Sequence, residues 1–381
     1  MFGYFQKAFN RINHNVVIAK LSDMGVPGWL LKIVIAFLTK RKMQVRYKGQ
    51  KSSIKDLSGG GPQGTLLGLL LFIILINDVG FNDQQNNLGE LLTSKKNLKK
   101  ANHIHLKYVD DLSLAEVINL QEKLEPAPKR TQPDTFHART GHVLPVEKSE
   151  VYKQLLKTDI YARKNEMKIN QKKTQLMVFN PCKSIDFQPE ISLNGQQLQV
   201  IDEMKLLGVI IKSDLSWHAN TQYIVNRANK RLWMLRRLVN LGANRDDLLE
   251  IYRTQVRSVL ELAVPVWQGN LSKLDKINIE RVQKSALHII LDDKYACYKN
   301  AIKTLNIDDL ETRRNKLCLK FGKKCETNDK FKHWFKFNNQ TLNTRQAKTK
   351  YVKVKARLYR LEKSPISFLT NMLNHHYSIQ K

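Results

Sequence analysis

The chain has 381 residues, enough for two or three domains, and 42% of them are hydrophobic, which excludes wholesale disorder. Against 34 Asp+Glu stand 64 Lys+Arg, a formal net charge of +30 that points to a polyanionic partner, nucleic acid before an anionic membrane surface. Its four cysteines (Cys182, Cys297, Cys318, Cys325) form no C-x-x-C pair, its N-terminus lacks signal-peptide layout, and its longest apolar run is 11 residues where a span needs about 20.

These exclusions predict an intracellular protein with neither a membrane segment nor a disulfide-linked partner; its placement, nuclear and/or cytoplasmic, follows only from the resemblance given below. The plain alternative for the charge is a solvated basic surface, at the cost of self-repulsion.

In chain order, helical periodicity predicts a helix ending near Asp23, a turn over Gly25–Gly28 and a second helix over Trp29–Thr39. "MQVRYKG" alternates as a strand, and "LLGLLLFIILI" (Leu66–Ile76) reads as a buried helix. Residues 80–103 are polar and read as a surface insertion. Strand character returns near Tyr108, and residues 126–146, with Pro126, Pro128, Pro133 and Pro145, read as a long loop.

A helix is expected over about Lys148–Asn165, then a strand in "KINQKKTQLMVF". The Asn-Gly of "ISLNGQQLQV" predicts a two-residue hairpin turn, and "KLLGVIIKSDLSW" two more short strands. From Thr221 the pattern is helical, and the tail from Lys330 to Arg360 holds ten Lys/Arg and no Asp or Glu.

Two stretches carry chemistry. "GGGPQGTLLG" (Gly59–Gly68) places glycines and a proline directly before a helix, which serves either a tight turn or a close approach to backbone N–H groups. It matches neither the Walker nor the dinucleotide fingerprint. "LKYVDDLSLAE" sets Asp110 and Asp111 side by side in an apolar run, as turn residues at a hairpin tip or as metal ligands.

Taken together, "KAFNRINH", "GGGPQGTLLGLLLFIILIND", "YVDD", "KINQKKTQLMVF" and "KLLGVIIKSDLSW" occur in the order and spacing of a reverse transcriptase, and the chain resembles the polymerases of non-LTR (LINE-like) retrotransposons over roughly residues 5–290. The resemblance implies an α+β fold. A palm of antiparallel sheet with packed helices would occupy 1–219, an α-helical thumb 220–290 and a basic, mostly helical segment 291–381.

It also implies RNA-directed DNA synthesis on an RNA template from a DNA primer, with deoxynucleoside triphosphates and two Mg²⁺ ions about 3.5–4 Å apart. By the same resemblance Asp110 is a metal ligand and Asp111 an auxiliary one. Tyr108 packs beside the primer end. Phe9 matches the aromatic that excludes a ribose 2′-OH. Gly61, Pro62, Gln63 and Gly64 lie against the templating pair, and Lys173, with Lys172 as fallback, protonates the departing pyrophosphate. Leu207, Gly208 and Val209 form the primer grip, and Lys230, Arg231, Arg236 and Arg237 neutralise duplex phosphates.

Two further aromatic features are read as structural. Trp233 is assigned to the core rather than to a stacking platform, and "HWFKF" (His333–Phe337) to a small core cluster.

The first motif departs from the family. The two family Asp positions flanking "KAF" hold Tyr4 and Asn10, and residues 1–22 contain no Asp or Glu. A phenol, ordinarily neutral near pH 7, is a poor Mg²⁺ ligand, so Tyr4 marks a lost ligand position. The fingers and endonuclease regions of the family are expected to be absent, leaving apolar palm surface uncovered. The expectation is a polymerase domain impaired in catalysis; the alternatives are a non-catalytic nucleic-acid-binding remnant of a decayed element, or a frame that makes no stable protein.

Overall fold

The computed structural model describes residues 1–57, 59–62, 64–79, 103–108, 111–116, 125–126, 141–143, 149–179, 186–187, 189, 191–338, 349–354 and 359–379. Most of the two expected insertions, 80–103 and 126–146, therefore lies outside the described residues. The chain divides into two compact units, Met1–Ile201 and Asp202–Lys381.

The N-terminal unit is built on a five-stranded sheet. Its strands are β1 (Phe2–Tyr4), β2 (His103–Tyr108), β3 (Asp111–Glu116), β4 (Gln175–Leu176) and β5 (Gln199–Val200), in the order β5-β4-β1-β3-β2. All neighbours are antiparallel except β4 and β5. Leu112 and Leu114, two apart on β3 and so on one face, are both buried.

Four helices pack into the same core: α1 (His14–Asp23), α2 (Gly28–Leu38), α3 (Leu66–Ile76) and α4 (Glu150–Lys164). Their ends follow local chemistry. Asn13 caps α1 by accepting from the N–H groups of Asn15 (2.8 Å) and Val16 (3.2 Å). Ser149 caps α4, and the Glu116 carboxylate at the end of β3 accepts from Ser149 Oγ (2.9 Å) and Glu150 N (2.6 Å), tying that helix to the sheet.

Helix α3 departs from expectation. Leu71, Phe72, Leu75 and Ile76 are buried, but Leu66 is 91% exposed, and Leu69, Leu70 and Ile73 continue its uncovered face. A helix apolar all round carries no signal of which side will be covered. The exposed side corrects the expectation that Leu66–Ile76 is buried throughout. Among the described residues, no helix is long and apolar enough to cross a membrane.

The C-terminal unit opens with the hairpin β6 (Glu203–Leu206) and β7 (Val209–Lys212), followed by α5 (His218–Asn240), α6 (Arg245–Ile251), α7 (Lys273–Leu291), α8 (Leu310–Thr327) and α9 (Pro365–Ile379). Ile224, Ala228, Leu232 and Leu235 form the buried stripe of α5, which meets Ile279, Val282, Ala286 and Leu287 of α7 in one cluster around Trp267 and Tyr252. Within the helical stretch "RDDLLEIYRTQVRSVLELAVPVW" the helix widens into a π turn at Tyr252–Arg257 and breaks at Ala263, whose φ is 52°.

Within the described part of the basic tail, Lys350 and Tyr351 are tied to α8 and α9. Tyr351 N donates to Asn374 Oδ1 (2.8 Å), and Asn374 Nδ2 returns a bond to Tyr351 O (2.9 Å). The Glu326 carboxylate accepts from the Tyr351 and Tyr377 hydroxyls and from Lys350. "HWFKF" meets the expectation of a core cluster only in part: Phe335 is buried with its ring 5.6 Å from that of Tyr351, while Phe337 is 66% exposed.

Candidate nucleic-acid and catalytic site

Strand β1 is the centre of the N-terminal site. It pairs with β3 in the register Phe2↔Ser113, Gly3↔Leu112 and Tyr4↔Asp111, while β2 pairs with β3 so that Tyr108 also faces Asp111. Tyr4, Asp111 and Tyr108 thus stand in one line across three strands. For Tyr108 and Asp111 the structure describes the backbone only, and Asp110 lies outside the described residues.

On its other side β1 receives the loop that carries Lys173. Asn170 N donates to Tyr4 O (2.7 Å), Gln6 N donates to Lys168 O (2.7 Å), and Phe5 bridges Ile169. Lys173 N donates to Asn170 O (3.1 Å), and Thr174 Oγ1 closes the turn onto the same carbonyl at 2.9 Å. Lys172 and Lys173 are both exposed. One strand therefore joins the Tyr4 position, the register of Asp111 and the Lys173 loop.

The glycine turn docks on the residues just after β1. Gly60 N donates to Ile12 O (2.9 Å) and Gly61 N to Phe9 O (2.7 Å). Gly60 has φ +77°, and a Cβ there would sit 3.1–3.2 Å from Asn10 O, Asn10 Cα and Phe9 O. A Cβ on Gly61 would meet Ile12 Cδ1 at 2.7 Å, whereas Gly64, at φ +82°, has open space. The close approach at Gly60 and Gly61 is thus made by the chain's own backbone and Ile12.

Pro62 is half-buried, and Gln63 lies outside the described residues. Phe9 is half-buried with its ring 4.8 Å from that of Phe72 on α3, so the helix opened by the glycine turn also holds this aromatic.

Two features have no sequence signal, because their partners are distant in the chain. The Arg41 guanidinium donates to Gly59 O (3.2 Å) and Gly60 O, and His14 Nε2 lies 2.9 Å from Gly60 O, so a cation and an imidazole grip the turn. Behind α3, Lys20 Nζ donates to Asp78 Oδ1 (2.6 Å) and Leu75 O (2.9 Å), and the Tyr161 hydroxyl donates to Asp78 Oδ1 (2.5 Å). Burial and the adjacent carboxylate push the Tyr161 phenol above its usual range. For Asp78 burial acts upward, but the bonds from Lys20 and Tyr161 outweigh it and hold the carboxyl below its usual value.

The C-terminal unit carries the other predicted residues. Leu207 (φ 47°) and Gly208 (φ 87°) form the tip of the β6–β7 hairpin, a two-residue turn with positive φ at both positions. Leu207 is 52% exposed and Val209 is buried. Ile210 N donates to Asn220 Oδ1 (3.1 Å), anchoring the hairpin to the start of α5.

On α5, Lys230, Arg236 and Arg237 are exposed, and Arg231 is half-buried with its guanidinium on Gln255 O. Trp233 corrects the expectation of a core residue. It is 64% exposed, one position past buried Leu232 and so about 100° round the helix, with the Arg237 guanidinium 5.8 Å from its ring centroid.

Residues 4–211 match the family described as Reverse transcriptase (RNA-dependent DNA polymerase). The chain belongs to the reverse transcriptase family. It is 24% identical over 290 residues to the RNA-directed DNA polymerase from mobile element jockey of Drosophila funebris, covering 73% of this chain and 27% of that protein. Over 74 residues it is 36% identical to the jockey polymerase of Drosophila melanogaster, 19% of this chain and 8% of the relative. Over 300 residues it is 23% identical to the probable RNA-directed DNA polymerase from transposon BS of Drosophila melanogaster, 76% of this chain and 28% of the relative.

The chain thus spans little more than a quarter of the length of these relatives, and its reverse transcriptase is of the LINE-like, non-LTR kind. The family generally uses Mg²⁺; among the described residues, no three His, Cys, Asp or Glu side chains cluster as a metal site.

Proposed function

We propose that the chain is the polymerase region of a non-LTR retrotransposon reverse transcriptase, RNA-directed DNA synthesis being its ancestral reaction, with catalysis impaired in this copy. Residues 1–219 would act as palm, 220–290 as thumb and 291–381 as a basic C-terminal segment. Its partners would be an RNA template, a DNA primer and deoxynucleoside triphosphates.

The observation that carries the reading is the register Tyr4↔Asp111. The strand position facing the Asp-Asp hairpin is where a second carboxylate is needed, and a phenol stands there. Asp110 and Asp111 would hold Mg²⁺, which when bound activates the primer hydroxyl and steadies the triphosphate. With no Asp or Glu in residues 1–22, the donor set does not fit the pair of ions.

The other roles rest on this chain's own groups. Phe9, fixed against Phe72, would bar a 2′-hydroxyl, and Gly61, Pro62, Gln63 and Gly64 would back the templating pair beside Tyr108. Lys173 would donate a proton to pyrophosphate. Leu207, Gly208 and Val209 would hold the primer strand, and Lys230, Arg231, Arg236 and Arg237 the duplex phosphates, a sequence-independent and salt-sensitive contribution.

The alternative, a binding module without chemistry, is favoured by the same Tyr4. Primer extension on an RNA template with Mg²⁺ and then Mn²⁺ separates the two, comparing the chain with Tyr4→Asp and Asp110→Asn variants. The proposal expects extension from Tyr4→Asp and little from the unaltered chain. Extension by the unaltered chain that is abolished in Asp110→Asn would overturn the impairment. Binding of primer–template without extension by any variant would favour the binding module.

A further inference from the structure

The two halves of α8 treat their charges differently. In the N-terminal half Arg313 Nε lies 3.0 Å from Glu261 Oε1, Glu311 pairs with Lys276 at 2.6 Å, and Lys316 pairs with Asp308 at 2.7 Å. In the C-terminal half Lys320, Lys323 and Lys324 are exposed and have no ion-pair partner among the described residues. The remaining carboxylate of the helix, Glu326, is already engaged by Lys350 and two tyrosine hydroxyls.

Lys316, Lys320 and Lys324 recur every four residues, about 6 Å apart along the axis, with Lys323 beside them. Like charges at this spacing destabilise a helix. Lys316 is neutralised by Asp308, but Lys320 and Lys324 face each other at this spacing with Lys323 beside them, a repulsion that an external polyanion would relieve.

The lysines themselves, with Leu319 and Thr327, line a shallow surface depression of about 510 Å³. Leu319 also lines a second depression of about 350 Å³ together with Phe368, Met372 and His375 of α9. Cations beside apolar and aromatic side chains suit a strand whose bases are free to leave solvent; a duplex has its bases stacked inward and would use the lysines alone.

We infer that the α8–α9 face is a binding track for single-stranded nucleic acid, separate from the α5 face assigned above to duplex phosphates. The inference rests on the proposed function only in choosing nucleic acid as the polyanion.

The test is fluorescence anisotropy of the full chain with a labelled oligouridylate and with an RNA–DNA primer–template duplex across a range of KCl. It compares the unaltered protein, the triple variant Lys320→Ala/Lys323→Ala/Lys324→Ala, and Arg236→Ala/Arg237→Ala. All substituted side chains are exposed, and matching circular dichroism spectra verify the fold. The triple variant is expected to lose about tenfold or more in oligouridylate affinity, with its salt slope reduced by about 2, from three lost contacts at about 0.7 each. Its duplex affinity should stay within about twofold, while the arginine variant should show the opposite pattern.

Unchanged oligouridylate affinity and slope in the triple variant, with duplex binding intact, would overturn this inference and leave the proposed function standing. Failure of the unaltered chain to bind either nucleic acid would overturn both. A triple variant that loses sedimentation with phosphatidylserine vesicles but keeps oligouridylate binding would assign the track to a membrane surface instead.

Discussion

In the N-terminal unit, strand β1 is held by segments far away in the chain: Ser113, Leu112 and Asp111 on one side, Gln175 and the loop at Asn170 on the other. In the C-terminal unit the core comes from helices with local apolar stripes, several of them with a local side-chain cap: Asn244 on α6, Ser272 on α7 and Asp309 on α8. The difference teaches how each unit depends on single positions. A constellation assembled from distant strands turns on one residue, such as Tyr4 opposite Asp111, while a helical surface spreads its cations over many positions.

The largest effect that would break this comparison is Trp267→Ala. Trp267 is fully buried at the centre of the helical core and its indole N–H donates to Leu262 O at 2.8 Å. The substitution should cost about 3–5 kcal/mol, read as a shifted urea midpoint of the helical unit's transition. A loss under about 1 kcal/mol would mean the local stripes suffice without a shared core.

Next is the glycine turn. Gly60→Ala places a methyl 3.1–3.2 Å from Asn10 and Phe9 backbone at φ +77° and should cost about 2–3 kcal/mol. Gly64→Ala, at φ +82° with open space, should cost about 1 kcal/mol from conformation alone. Equal losses in chemical denaturation would remove the docking of the turn on the first motif from the account.

Asn13→Ala removes the cap of α1 and the bond from Asn13 Nδ2 to Glu166 Oε2 at 2.7 Å. A loss of about 1 kcal/mol is expected, smaller than that of any buried contact.

The smallest expected effect is the pH response of the Lys20–Asp78–Tyr161 tie. Because the folded carboxyl titrates below its unfolded value, its contribution is present above about pH 4 and is lost as pH falls through the lower folded pKa. Asp78 is well exposed, so the effect is screened. Asp78→Asn should flatten the acid limb of the stability–pH curve for the N-terminal unit; an unchanged limb would place that limb elsewhere.

Much of the chain is legible in the sequence. The Asn-Gly turn appears with Asn194 and Gly195 at φ 51° and 77°, the first helix ends at Asp23, and the helices Gly28–Leu38 and Glu150–Lys164 lie within two residues of their expected bounds. These are local features, set by backbone stereochemistry and periodicity. The candidate site was legible through its motifs, and the register of Tyr4 opposite Asp111 agrees with a first-motif strand beside the Asp-Asp hairpin.

Three readings needed the fold. Residue type alone assigns Trp233 to the core, but its angular position on α5 puts it outside the stripe of Leu232 and Leu235. An apolar run such as α3 reads as buried on every side, yet Leu66 and Ile73 are exposed. Arg41 had no visible role, since its acceptors, the carbonyls of Gly59 and Gly60, are backbone atoms brought near only by packing.

The sequence by itself determined the order of motifs, the excess of positive charge, most helix boundaries, the two-residue turns and the absence of carboxylates from residues 1–22. Those depend on residue type and on neighbours within a few positions. Only the tertiary structure decided which faces are covered, which cations lack partners, and that the glycines make room for the chain's own first motif. Each of these depends on groups tens of residues apart in sequence, where composition and periodicity carry no information about distance.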